Sequence, residues 1–139
     1  MLECLILGDS IAVGISMQRP ECATIAKGGI NSWSWVNKNI TKNLYAKTVI
    51  ISLGSNDHKY VKTKRELETI RENVKADRVF WILPQGNLKA SEVPIERIQE
   101  YVNTVAKHYG DTVLPIQYVS SDNIHPTGRG YKTLANQTR

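Results

Sequence analysis

The sequence is short of the features that mark several large functional classes. No apolar run approaches the roughly 18 residues of a membrane-spanning helix, and no basic segment leads into a long apolar one. Neither a transmembrane helix nor a signal peptide is expected in the chain as given, which makes the cytoplasm the default setting and a membrane no partner. Cysteine is scarce: Cys4 and Cys22 both lie in apolar, strand-like runs, and read as two buried thiols of a reducing compartment rather than a disulfide framework. Aromatic residues make up only 7% and are not interleaved with the basic ones. A zinc-ligand pattern and a recognition-helix signature are also missing, which argues against nucleic acid. The stretch from Gly8 to Gly14 has no Walker pattern and lacks the closely spaced Ser/Thr residues of a flavin-phosphate loop, so no cofactor and no metal are expected.

What is present is ordinary for a globular chain: 139 residues, 41% hydrophobic and 22% charged, enough for one domain with a substantial core. The net charge of +5 is compatible with anionic partners such as acidic glycans or lipid headgroups. The denser cluster at Lys59, Lys62, Lys64 and Arg65 suits a solvated helix face.

Along the chain, apolar runs alternate with helical stripes. Leu2 to Leu7 is a strand cut off at Gly8-Asp9-Ser10, and a short helix follows to about Met17. Cys22 to Ala26 suits an edge strand. Asn31 to about Tyr45 carries Trp33, Val36, Ile40 and Leu44 at helical spacing. Thr48 to Leu53 is the clearest central strand, and Lys64 to Lys75 an amphipathic helix. Arg78 to Leu83 is another buried strand, followed by a loop from Gln85 to Val93. Pro94 to Tyr109 is a helix with Gly110 at its end. Thr112 to Val119 contains Pro115 and fits an edge strand. Thr127 onward is a last short helix.

Five alternations of strand and helix predict an α/β protein with a parallel sheet and right-handed crossovers, a flavodoxin-like three-layer sandwich of strand order 2-1-3-4-5. Sites in such sheets form at the carboxyl ends of strands. Gly8-Asp9-Ser10, Gly28-Gly29, Gly54-Ser55-Asn56-Asp57 and Asp122-Asn123-Ile124-His125 all fall there.

A serine hydroxyl is a weak nucleophile at neutral pH and needs a base within hydrogen-bond reach, itself oriented by a third group. Ser10 sits at a strand-to-helix turn, where it serves either as a helix cap or as such a nucleophile. Of the three histidines, His108 belongs to a helix C-terminus. His58 follows the central strand and is close enough to be considered. His125 has Asp122 three residues before it, so the carboxylate can hold Nδ1–H and leave Nε2 free toward Ser10. Pro126 keeps His125 out of helical geometry. In the expected strand order the last strand lies roughly 14 Å from the first, at about 4.8 Å per strand. The loop from Val119 to His125 spans up to about 20 Å when extended, and so reaches. Donors for a developing oxyanion are available in the Ser10 backbone N–H, a backbone N–H of Gly28 or Gly29, and the Asn56 side-chain amide. In isolation, Gly28-Gly29 also fits a plain turn and Asn56-Asp57 a helix-capping pair.

Together these segments resemble the four ordered sequence blocks of the SGNH (GDSL-like) hydrolases: Gly8-Asp9-Ser10-Ile11, the glycine after the second strand, Gly54-Ser55-Asn56-Asp57 and Asp122-Asn123-Ile124-His125-Pro126. The resemblance spans essentially the whole chain. It implies Ser10 as nucleophile, His125 as base, Asp122 as its partner, and an oxyanion hole from Ser10, Gly29 and Asn56. Either adjacent glycine fits the second block, Gly29 better by its distance to the following helix. Ile11 replaces the usual leucine. Only 65 residues separate Asn56 from Asp122, few for this family, which implies a shallow, lidless site for short acyl groups such as acetate. Gly28, Asp57, His58, Trp33 (or Trp35) and Gln85, with the loop to Val93, are expected to line it. The substrate expected is a small ester or an acetylated carbohydrate.

Overall fold

The computed structural model describes residues 1–86 and 92–139; positions 87–91 of the expected Gln85 to Val93 loop lie outside the described residues. The strands are β1 (Leu2–Gly8), β2 (Ala23–Ala26), β3 (Ala46–Ser52), β4 (Arg78–Ile82) and β5 (Thr112–Leu114). They alternate with helices α1 (Ser10–Gln18), α2 (Ser32–Asn39), α3 (Thr63–Asn73), α4 (Ile95–Tyr109) and α5 (Gly128–Gln137). All strand pairs are parallel, in the order β2-β1-β3-β4-β5.

The two faces of the sheet build two cores. Leu5, Leu7, Val49, Ile51 and Trp81 point toward α2, α3 and α4, where they meet Trp35, Leu67, Ile70, Val102 and Val105. The intervening Cys4, Ile6, Ile50, Phe80 and Ile82 point the other way, toward Ile11, Ile15 and Leu134 of α1 and α5. Alternate residues of each strand thus face opposite layers, and both sets are apolar. That explains the unbroken hydrophobic runs in the sequence.

Three elements differ from the sequence expectation. First, α2 ends at Asn39; Ile40 closes it, and a turn through Lys42 and Asn43 leads back into the sheet. Its buried tryptophan is Trp35, while Trp33 is 55% exposed. Residues two apart lie on opposite helix faces, and the Trp35 indole N–H donates inward to the Ile25 carbonyl at 3.0 Å. That bond covers the outer edge of β2. Second, β5 stops at Leu114, because Pro115 has no N–H to continue the ladder. Val119 pairs instead with Pro126 in an antiparallel bridge. Third, Cys4 and Cys22 form a disulfide. The β1–β2 register sets Leu5 opposite Ala23, so the residue before each is also a neighbour, with a Cα separation of 4.8 Å that suits the bond. The two thiols expected from the sequence are therefore one cross-link, and the argument from free thiols to a reducing compartment falls. No helix among the described residues is long and apolar enough to cross a membrane.

Candidate active site

The turn between β1 and α1 is set by a close approach of main chain. Gly8 has φ +142°, and a Cβ there would run into the Ser52 carbonyl oxygen at the end of β3. The same oxygen accepts the Asp9 N–H at 3.0 Å. Asp9, not Ser10, is the N-cap of α1: its Oδ1 accepts the Ile11 N–H at 3.0 Å and the Ser52 hydroxyl at 3.1 Å. Ser10 is the first residue of the helix, so its hydroxyl is not spent on capping.

That hydroxyl lies 2.9 Å from His125 Nε2. On its other side, His125 Nδ1 lies 2.6 Å from Asp122 Oδ2. The three side chains form one line of hydrogen bonds between the start of α1 and the last loop, 115 residues apart in sequence from Ser10 to His125.

The loop that carries the acid and the histidine is tightly closed. Ser120 N–H donates to the His125 carbonyl at 2.8 Å, Thr127 N–H to the Tyr118 carbonyl at 2.8 Å, and Ile124 is buried beneath. Asp122 Oδ1 accepts the backbone N–H groups of Ile124 and His125 at 2.8 and 2.9 Å and the Ser120 hydroxyl at 2.8 Å. The imidazole first, and these donors after it, hold the Asp122 carboxyl well below the usual carboxylate range. Gly86, φ +74°, packs so close to the Asn123 carbonyl that a Cβ would collide with it. Gln85 Nε2 donates to Asn123 Oδ1 at 3.3 Å, so the segment after β4 buttresses this loop.

The Gly28-Gly29 turn abuts Ser10. A Cβ on Gly28 would lie 3.8 Å from the Ser10 Cβ, and the turn closes through Ile30 N–H to the Lys27 carbonyl at 3.3 Å, with Gly29 at φ +78°. Asn56 is half-buried, and its Nδ2 donates to the Ile30 carbonyl at 3.1 Å. That bond uses one of two amide hydrogens and ties Asn56 to the glycine turn.

Other expected lining residues are placed differently. Asp57 is buried, with Oδ1 accepting the Ser32 N–H at 2.8 Å and Oδ2 the Thr63 hydroxyl at 2.7 Å. It joins α2 to α3 and faces inward, because both of its oxygens find donors there. His58 is exposed, with Nδ1 accepting the Tyr60 N–H at 3.2 Å. His108, on the last turn of α4, is also exposed. Sequence reasoning missed Asp9, whose side chain is fully buried below Ser10. Burial pushes its carboxyl up to about 6, against the pull of the Ile11 N–H and the Ser52 hydroxyl. Its Oδ2 has no well-formed hydrogen bond among the described residues. An acidic residue directly before a helix start was the available signal.

No protein-family model and no curated protein sequence matches the chain. Solved structures do match in fold. A GDSL-like lipase from Bacteroides thetaiotaomicron superposes with TM-score 0.70 at 16% identity, over 97% of this chain and 84% of that one. A member of the lipolytic G-D-S-L family from Veillonella parvula gives 0.65 at 16% identity, over 99% and 96%. The C-terminal catalytic domain of peptidoglycan O-acetyltransferase A from Streptococcus pneumoniae gives 0.67 at 18% identity, over 96% and 88%.

Proposed function

We propose that this chain, which has the fold of the GDSL-like hydrolases, is a serine esterase that cleaves small carboxylic esters, with carbohydrate O-acetyl groups as the natural class. The observation that carries the reading is the continuous line Ser10 Oγ–His125 Nε2–Asp122, at 2.9 and 2.6 Å. In this reading, His125 Nε2 takes the proton of Ser10 as Oγ bonds to the acyl carbon. Asp122 accepts Nδ1–H and stabilises the imidazolium that forms. The negative charge that develops on the carbonyl oxygen meets the backbone N–H groups of Ser10 and Gly29 and the remaining amide hydrogen of Asn56. Collapse of the tetrahedral intermediate breaks the ester C–O bond, and the His125 Nε2 proton passes to the departing alkoxide. A water then gives a proton to His125 and its oxygen to the acyl carbon, which frees the acid and returns the proton to Ser10.

Short acyl groups fit an open site. The His125 and Asp122 side chains are 39% and 45% exposed, which leaves the triad accessible from solvent. Ser10→Ala should abolish turnover of p-nitrophenyl acetate; undiminished turnover in that variant would overturn the assignment.

A second reading uses the same triad for acyl transfer to a sugar hydroxyl instead of water. It is favoured by the likeness to the pneumococcal O-acetyltransferase domain. Product analysis with and without a sugar acceptor separates the two readings. A non-catalytic flavodoxin-like binding module is the remaining alternative, and it predicts no covalent reaction at Ser10.

A further inference from the structure

Beside the glycine turn lies a cleft of about 270 Å³ between the outer edge of β2 and helix α2. Ile25, Ala26 and Trp35 line it together with Lys27, Lys38 and Lys42, and no acidic side chain among the described residues does. Lys38 follows Trp35 by three residues on α2, which sets it on the side that carries Trp35, and Lys42 comes from the turn after the helix. Lys27 directly precedes Gly28, the residue that abuts Ser10. Through Lys27 the cleft borders the glycine turn that abuts Ser10, and it runs from there along Trp35, Lys38 and Asn39 of α2 to Lys42.

The charge in this cleft is uncompensated. Lys47, Lys59 and Lys64 each have a carboxylate partner, whereas Lys27, Lys38 and Lys42 are in no ion pair among the described residues. Three ammonium groups sharing one cleft repel each other and concentrate an anion there. The net charge of +5 adds to the same field.

We propose that the cleft is a subsite for an anionic glycan: Lys27, Lys38 and Lys42 hold negatively charged groups along the chain while an acetyl ester on a neighbouring sugar reaches Ser10. The proposal rests on the esterase reading and adds the substrate class to it. Carboxylate and phosphodiester glycans share the chemistry required, and binding separates them. The Ser10→Ala protein is titrated with O-acetylated oligogalacturonate, an O-acetylated phosphodiester-linked glycan and neutral O-acetylated xylo-oligosaccharide. At least one anionic ligand should bind about tenfold tighter than the neutral one, the sum of three exposed ion pairs of ordinary strength. The tighter of the two identifies the anion. The preference should vanish as the ionic strength is raised from about 0.01 M to about 1 M, should fall to about twofold in the Lys38→Ala/Lys42→Ala protein, which keeps Lys27, and should be abolished in the Lys38→Glu/Lys42→Glu protein. Equal binding of neutral and anionic ligands, or a preference indifferent to these substitutions, would overturn the subsite. Failure of the esterase reading shows separately, as wild-type protein that does not turn over p-nitrophenyl acetate.

Discussion

Asp9 stands one residue from the proposed nucleophile, and its burial has a measurable cost. Its carboxyl is raised from an ordinary 3.8 to about 6, so the folded protein holds this proton more tightly than the unfolded chain does. The contribution of Asp9 to stability is therefore most favourable below about pH 4 and is lost as the pH rises through about 6. A displacement of that size corresponds to about 3 kcal/mol. Asp9→Asn keeps a neutral acceptor for the Ile11 N–H and the Ser52 hydroxyl and cannot ionise. Urea unfolding of the two proteins should show the difference moving in favour of the variant by up to about 3 kcal/mol between pH 4 and pH 7.5. A difference independent of pH would contradict the buried-charge account. At this scale the meeting of Ser10, His125 and Asp122 was legible because Ser10 follows the glycine turn that ends β1, while Asp122 and His125 lie three residues apart in the loop closed by Pro126. Asp57, open in the sequence to a lining or a capping role, turns inward because it finds donors at the starts of α2 and α3, and the partnership with Ser32 and Thr63 depends on how those helices meet.

Among the elements, β2 is short and lies at an edge, and two devices hold it. Trp35 covers its outer side, and the disulfide fastens the residue before it to β1. The cross-link closes a loop with a sequence separation of 18, for which the chain-entropy account gives roughly 3 kcal/mol. Reduction, or Cys4→Ala/Cys22→Ala, should lower stability by about that amount in urea unfolding, and a loss under about 0.5 kcal/mol would show that the bond does not constrain the unfolded chain. The strands themselves were legible as apolar runs, since a sheet covered on both faces needs apolar residues at consecutive positions. Their register was not, and the cysteine pair is a fact of register. The length of α2 was overestimated for a related reason: Leu44 belongs to the apolar stripe by spacing, but is buried by a turn that brings it back under the sheet.

For the whole molecule, the topology gathers segments that are far apart in the chain. Order β2-β1-β3-β4-β5 sets the Ser10 turn between the Gly28-Gly29 turn and the Asn56 loop, and the last loop reaches across from the far edge. The segment after β4, through Gln85 and Gly86, props that loop in place. Five alternations in the sequence were enough to expect this arrangement. The contacts that tighten it were not readable, because they join side chains to backbone atoms whose positions follow only from packing. In the proposed function, this arrangement makes Ser10 a nucleophile activated by His125. Mass spectrometry after incubation with a fluorophosphonate probe tests it most directly. A single adduct is expected on the peptide that contains Ser10, absent from both Ser10→Ala and His125→Ala. A folded protein that takes up no adduct, or an adduct that forms as fast without His125, would contradict it.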